Sequence, residues 1–330
     1  MKKLIYILPL PAAGLMLGLA AAGNLVSSHG NVFRIIFGAL SAMLMALLIF
    51  KMIFAARAVL EDLKNPAIAG IAAAFPMGVM VLSSYIEPYS HWTGYGMWLI
   101  GILLQSVFLI CFTKRFILNF NIQKVFPSYF VVYVGLAAAA LAAPLFGAAE
   151  AGRVFFWFGL ITYLVFLPVI AYRIFAVKSL PEPFIPTITI FAAPPALCLA
   201  GYLNTFQEIN MTVIWLLALL LLTTLFAVLL YMPKMLRLKF YPSYAAFTFP
   251  IVISATAVKN IDIFLRNEQM GVPALGYLAL FLESLAVALV IYVLIRYIIF
   301  IRNMLMIKSP GSIAATDLKT QIQSREKIKT

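Results

Sequence analysis

Apolar stretches of about 20 residues, separated by short polar loops, dominate the hydrophobic pattern of the chain. A helix needs about 20 mostly apolar residues to cross the hydrocarbon layer of a membrane. With that window the sequence predicts ten membrane-spanning helices, which we number in chain order as spans 1 to 10. Their approximate ranges are 5–26, 33–56, 66–86, 92–113, 126–146, 152–176, 184–204, 211–232, 241–260 and 274–302.

The pattern within these runs indicates helices and not strands. A membrane β-barrel would show segments of about ten residues in which apolar and polar positions alternate. The run at 214–222 has nine consecutive apolar residues and no alternation. The sequence therefore predicts an all-α integral membrane protein, with a ten-helix transmembrane pore domain over 1–302 and a short basic cytoplasmic tail over 303–330.

The first apolar run allows a second interpretation. Lys2 and Lys3, the run itself and the alanines at 20–22 also fit a cleaved signal peptide. Pro9 and Pro11 interrupt the run, and signal cores seldom contain such breakers, which favours a retained helix. Cleavage would leave nine spans and the same topology for the rest of the chain.

Composition agrees with a membrane protein and excludes other classes. Of the 330 residues, 64% are apolar and 11% charged, against about 45–50% and about 25% in soluble domains. The chain is too apolar for intrinsic disorder and has too few cysteines for a disulfide scaffold. We interpret Cys111 and Cys198 as packing thiols within spans 4 and 7. His29 and His91 stand in separate loops, so the sequence predicts neither a metal site nor a cofactor.

The basic residues predict the orientation. If the N-terminus lies inside, only Arg34, Arg153, Lys259 and Arg266 fall on the outer side, which leaves 20 of the 24 Lys and Arg residues inside. Positive charge accumulates on the cytoplasmic side of membrane proteins. We therefore expect both termini in the cytoplasm and the protein in the cell membrane. The net charge of +13 then faces anionic lipid, and nucleic-acid binding is not needed to explain it.

Helix-breaking residues recur in the odd-numbered spans. A proline has no N–H and leaves the carbonyl four residues earlier unpaired, and such a carbonyl cannot face lipid. A tolerated kink explains any single case. Recurrence in alternate spans predicts five helix hairpins, with odd-numbered spans inside and even-numbered spans outside; Pro168 in span 6 is the exception. The residues expected to line a pore or kink an inner helix are Gly18, Pro76, Gly135, Pro194, Pro195 and Pro250.

Titratable residues within the spans are scarce. Glu283 lies about ten residues into span 10, which places it about 15 Å deep at 1.5 Å per residue. An ionisable group at that depth is a candidate functional residue; a protonated or hydrogen-bonded packing residue is the alternative. Proton-driven carriers generally need several buried acidic or histidine residues, and cation pores need acidic rings. An apolar pore of kinked helices, with half-helix N-termini at the kinks, instead suits a weakly held anion.

Several segments resemble the tellurite-resistance/dicarboxylate transporter (TDT) family, which includes bacterial tellurite-resistance proteins and the slow-type anion channels of plants. In span 1, Leu-Pro-Leu-Pro at 8–11 precedes Gly-Leu-Met-Leu-Gly-Leu-Ala at 14–20. Asn-Pro at 65–66, Phe-Pro-Ser-Tyr-Phe at 126–130 and Pro-Glu-Pro at 181–183 follow in order. The most specific segment is Tyr-Ala-Ala-Phe-Thr-Phe-Pro at 244–250. The resemblance extends over about residues 5–302.

The resemblance implies ten helices in a quasi-fivefold arrangement around a central pore, and homotrimers with one pore per protomer. It also implies transport of small anions: halide, nitrate, sulfite, tellurite or C4-dicarboxylate. A ninth-helix phenylalanine plugs the family's pore, and the matching residue here is Phe249. The residues alone favour a core side chain for Phe249, one of 27 phenylalanines. Its position near the middle of span 9, directly before Pro250, is compatible with a gate, and the resemblance to the family favours that role.

Two functions remain open. The first is an anion channel or channel-like facilitator, gated by Phe249, through which anions leave the cell down their electrochemical gradient. The second is a proton-coupled dicarboxylate or sulfite transporter with Glu283 as the titrating group. A membrane enzyme or a scaffold is disfavoured, because the sequence has no catalytic motif and no soluble domain. The expected partners are small anions and membrane lipids.

Overall fold

The computed structural model describes residues 2–178 and 180–306, and this part of the chain is helical without any strand. We number its ten main helical segments in chain order. They are α1 (Ala12–Leu25), α2 (Asn31–Phe54), α3 (Pro66–Ile86), α4 (His91–Ile117), α5 (Tyr129–Phe146), α6 (Ala149–Val177), α7 (Glu182–Thr205), α8 (Met211–Leu236), α9 (Pro242–Asn267) and α10 (Pro273–Met306). Shorter helices cover Lys2–Ile7, Val26–His29, Ala56–Asp62 and Ile122–Lys124.

Within the described residues, α2 to α10 are nine helices long and apolar enough to cross a membrane. The prediction of an all-α integral membrane protein is confirmed. Predicted span 1 is divided, because Lys2–Ile7 and α1 are separate helices with two prolines between them. The count of ten spans therefore stays a prediction. Most of the predicted basic tail, residues 307–330, lies outside the described residues.

Burial alternates along the chain. In α3, α5, α7 and α9, between 72% and 94% of the most apolar stretch is buried, whereas the even-numbered helices have only 22–39% buried. Every residue of α1 except Asn24 is buried. The even-numbered helices expose large apolar side chains such as Ile36, Leu103 and Leu219. An exposed apolar surface of this extent is what a lipid-facing layer requires.

The buried helices form a closed ring. Contacts run from α1 to α3, α5, α7 and α9 and back to α1, and each even-numbered helix packs against the inner helix before it. The described residues thus support the predicted order of five hairpins with odd-numbered helices inside. The ring also gives the fold a central axis, around which the five inner helices run in the same direction.

Side chains of outer helices satisfy backbone groups at irregular places in the inner ones. Where the first span breaks, buried Lys51 of α2 donates to the Leu8 carbonyl oxygen at 2.7 Å. In α5, an α-helix over Tyr129–Tyr133 becomes a 3₁₀ helix over Val134–Ala137. Gln105 of α4 donates there to the carbonyl oxygens of Val131 at 3.0 Å and Val132 at 2.8 Å. These bonds matter because lipid offers no substitute partner.

We predict that Gln105→Leu destabilises the protein by about 1–3 kcal/mol, because the carbonyls of Val131 and buried Val132 lose the Gln105 donor. Thermal unfolding in detergent measures the effect. The control is Ser106→Ala, since the Ser106 hydroxyl only donates to Ile102 of its own helix. Equal melting temperatures for the two variants would show that Gln105 does not support the irregular part of α5.

Candidate functional site

Interruptions of the inner helices lie at a common level of the ring. Helix α3 is broken at Ala73, between α-helices over Pro66–Ala72 and Ala74–Ile86. Helix α7 begins as a 3₁₀ helix and becomes α-helical at Ala193. Helix α9 is broken at Thr248, between a 3₁₀ helix and an α-helix that starts at Phe249. Three inner helices therefore consist of two halves that meet near the axis.

The prolines of the inner helices begin the second halves. Pro76 and Pro250 lie in the first turn after the breaks at Ala73 and Thr248, and Pro194 and Pro195 lie in the first turn after Ala192. A first-turn N–H has no helical partner in any case, so proline is tolerated there. By contrast, Pro168 lies inside the continuous helix of α6. The breaks thus precede the prolines and are not kinks centred on them.

A small cavity lies where these breaks meet. Its wall includes residues from all five inner helices: Gly14, Ala74, Gly135, Ala193, Ala246 and Phe249 are examples. Every wall residue is apolar, and the cavity volume is about 40 Å³. A water molecule needs about 10–15 Å³ by this measure. The cavity therefore has room for about three waters, too little for a hydrated anion.

The longer halves of the broken helices present their N-termini to this cavity. The second halves of α3, α7 and α9 begin at Ala74, Ala193 and Phe249, all three of which are wall residues. They are α-helices of 13, 13 and 19 residues. The N-terminus of an α-helix carries a partial positive charge of about half a unit. An apolar cavity next to these N-termini favours a negative ion without holding it by a fixed side-chain charge.

Phe249 and Phe247 have different surroundings although they are two residues apart. The Phe249 side chain is part of the cavity wall and Phe249 is 5% exposed. Phe247 is fully buried and packs edge-on against Tyr244, with ring centroids 5.1 Å apart. Of these two phenylalanines, Phe249 lines the cavity and Phe247 does not.

The other residues predicted to line or kink the pore fall into two groups. Gly135, Pro194 and Pro250 are wall residues of the cavity. Pro76, Pro195 and Gly18 are not; the two prolines begin half-helices, as described above. Gly18 packs against α9: a Cβ atom there would lie 2.4 Å from the Cβ of Thr248. Sequence reasoning missed Gly14, which takes the wall position in α1 one turn earlier.

Thr248 is a further residue that the sequence did not single out. Its hydroxyl oxygen lies 2.7 Å from the Ala245 carbonyl oxygen and 3.0 Å from that of Gly14. It therefore connects the break in α9 to α1 across the ring. The one available signal was its place between Phe247 and Phe249, two residues before Pro250.

A family comparison agrees with this geometry. A family model, SLAC1, described as the voltage-dependent anion channel, matches residues 8–298. The chain belongs to this family. The match confirms the resemblance seen in the sequence, and it identifies the chain as a multi-pass membrane protein of an anion channel or transporter family. That family is not one of enzymes. No curated protein matches the chain.

Glu283 has partners that the sequence did not reveal. Its carboxylate lies 2.5 Å from Nε2 of His29 and 2.8 Å from Nζ of Lys259. Helix α10 has 34 residues, or about 51 Å, and so exceeds a hydrocarbon layer of about 30 Å. Depth counted from its first residue is therefore overestimated. The carboxylate belongs to an ion cluster with Lys259 and the half-exposed His29.

Metal ligands are not grouped in the part of the chain that the structure describes. Residues 2–178 and 180–306 contain no cluster of three or more His, Cys, Asp or Glu side chains able to hold an ion. Cys198 is buried and Cys111 is exposed, and neither forms a disulfide.

We predict that Gly18→Ala destabilises the fold by about 1–3 kcal/mol through overpacking against Thr248. Gly96→Ala is the matched control, because a Cβ atom at Gly96 meets nothing within 4 Å and alanine favours the helix. Thermal unfolding of both variants in detergent makes the comparison. If the melting temperature of Gly18→Ala is no lower than that of Gly96→Ala, α1 does not pack as closely against the break in α9 as described.

Proposed function

We propose that the protein is a passive channel for small anions and that Phe249 is its gate. The observation that carries this proposal is the small apolar cavity at the centre of the inner ring, with Phe249 in its wall. Membership of an anion channel family supports the transport of anions. Anions would move down their electrochemical gradient, which favours efflux from a cell with a negative interior.

The wall chemistry supports weak binding and therefore fast passage. Conduction requires a site that an anion enters readily and leaves readily. The wall has no titratable residue, and the half-helix N-termini supply only partial charges. Such a site suits halide, nitrate, sulfite, tellurite or a C4-dicarboxylate, the anions implied by the resemblance to the TDT family. An apolar constriction also gates by excluding water.

The closed ring supports one pore in each protomer, because all five inner helices belong to one chain. The homotrimer implied by the resemblance would then contain three separate pores.

The unequal distribution of the basic residues supports a location in the cell membrane with both termini in the cytoplasm. In that orientation the N-terminal ends of the inner helices face the cytoplasm.

The second candidate is a proton-coupled dicarboxylate or sulfite transporter. The contact of Glu283 with His29 favours it, because acidic and histidine side chains form the proton relays of coupled transporters. However, neither residue belongs to the wall of the apolar cavity. A proton on this pair would have to act on the pore from a distance, and we therefore prefer the passive channel.

Phe249→Ala should increase anion conductance, because it removes most of a ring at the narrowest apolar point. Gly14, Gly135 and Ala246 in the same wall are small and cannot easily refill the space. Selectivity for anions over cations should persist, since no charge changes. The measurement is current across planar bilayers containing purified protein, under chloride, nitrate, sulfite and malate gradients.

Phe247→Ala is the matched control for the gate. It should lower thermal stability by about 3–5 kcal/mol as a buried phenylalanine truncation, without raising conductance. A Phe249→Ala protein that conducts no better than the parent, while Phe247→Ala conducts freely, would place the gate on the other face of α9.

Glu283→Gln separates the two candidate functions. In a passive channel the variant should carry the same anion current as the parent between about pH 5.5 and 8, since Glu283 lies outside the cavity wall. In a coupled transporter it should abolish uptake driven by a pH gradient. Sulfite or malate uptake into liposomes, with and without a pH gradient, distinguishes these outcomes.

A further inference from the structure

We propose that Arg34 forms an anion-binding site in a second cavity, which is lined by four of the five inner helices. This inference rests on the proposed channel function and adds a specific residue to it. The second cavity, which we call the vestibule, has a volume of about 250 Å³. Its wall includes Asn24, Arg34 and Ser84 beside apolar residues of α5 and α9.

The vestibule follows the apolar cavity along four of the five inner helices, namely α1, α3, α5 and α9. Four of its wall residues each follow a wall residue of the apolar cavity by seven positions. The pairs are Ala21 after Gly14, Val81 after Ala74, Ala142 after Gly135 and Ile253 after Ala246. Seven residues of helix correspond to about 10 Å. An ion that leaves the apolar cavity towards the C-terminal ends of the inner helices therefore enters the vestibule next.

Arg34 reaches the vestibule from an outer helix. Its Nε donates to Oδ1 of Asn24 at 3.0 Å, and its Nη2 donates to the carbonyl oxygen of Ser84 at 2.7 Å. Both acceptors are neutral, and both of these residues line the vestibule. A guanidinium has five N–H donors, so three remain without a protein acceptor in the described chain. These free donors and the full positive charge are what a bound anion requires.

The position of Arg34 is fixed by closely packed neighbours. Its guanidinium carbon lies 4.6 Å above the ring of Tyr85, and the Tyr85 hydroxyl donates to the Ala20 carbonyl oxygen at 2.6 Å. Gly23 and Gly38 leave the space for Tyr85, since a Cβ at either would lie 2.4 Å from that side chain. Because these two positions have no side chain, the Tyr85 ring packs closely against α1 and α2. The ring then supports the Arg34 guanidinium at the vestibule.

Arg34 differs from the other three basic residues that are predicted on the outer side of the membrane. Each of those three pairs with a carboxylate: Arg153 with Glu150, Lys259 with Glu283 and Arg266 with Asp262. No carboxylate within residues 2–178 and 180–306 pairs with Arg34. Within the same residues, it is also the one charged side chain of the vestibule wall. Its positive charge is therefore available to raise the local concentration of anions beside the pore.

Conductance at low and high salt tests the role of this charge. All variants are made in the Phe249→Ala protein and measured in planar bilayers. At about 20 mM chloride we expect Arg34→Gln to lower conductance by about 3- to 10-fold, as local enrichment is lost. At about 1 M chloride the difference should largely vanish, because the screening length falls to about 3 Å. Arg34→Lys should retain most of the conductance, and Arg153→Gln should have no effect.

Bromide binding tests the site without depending on conduction. Crystals of the full chain grown in bromide should show an anomalous peak beside the Arg34 guanidinium, and crystals of Arg34→Gln should not. Absence of bromide from Arg34 in the parent, or unchanged low-salt conductance in Arg34→Gln, overturns the inference and leaves the channel function intact. Absence of any anion current from the parent and from Phe249→Ala overturns the channel function, while the bromide peak still decides the site.

Discussion

The fold depends on pairing the backbone groups that broken helices expose in the middle of a membrane protein. A carbonyl without a partner is costly where neither water nor another donor can reach it. Here polar side chains from neighbouring helices supply the donors: Gln105 serves α5 and Lys51 serves the break before α1. Ser254 of α9 donates to Ala192 at the change of helix type in α7. The inner ring can be irregular because such donors surround it.

That irregularity produces the central cavity and its character. An unbroken α-helix presents no N-terminus at mid-length, whereas the second halves of α3, α7 and α9 begin at residues of the cavity wall. Small residues such as Gly14 and Ala74 keep the helices close, so little volume remains. The result is an apolar space with a positive bias and two aromatic rings, Phe130 and Phe249, in its wall. These are properties that suit passage of anions and exclude strong binding.

Fixed charge is kept away from the narrow part of the ring. The ion cluster of His29, Lys259 and Glu283 joins α10 to the end of α9 and to the loop after α1, where it stabilises the packing of an outer helix. Arg34 stands about two turns beyond the apolar cavity. A charge at that distance attracts anions but does not trap them at the constriction. The separation of attraction from constriction is consistent with a passive pathway.

The sequence by itself determined the class of protein, most of the spans and the family, because hydrophobic length and local motifs are properties of short segments. Through the motif at 244–250, it also indicated Phe249 as the candidate gate residue. It did not determine where the helices break: Pro76 and Pro250 begin half-helices, whereas Pro168 sits in an unbroken one. Nor did it determine the partners of Glu283, one of which, His29, is 254 residues away. The approach of Arg34 to the axis required the packing of Tyr85 against two glycines of different helices. Such contacts arise only when the ring closes, since they join residues distant in the chain.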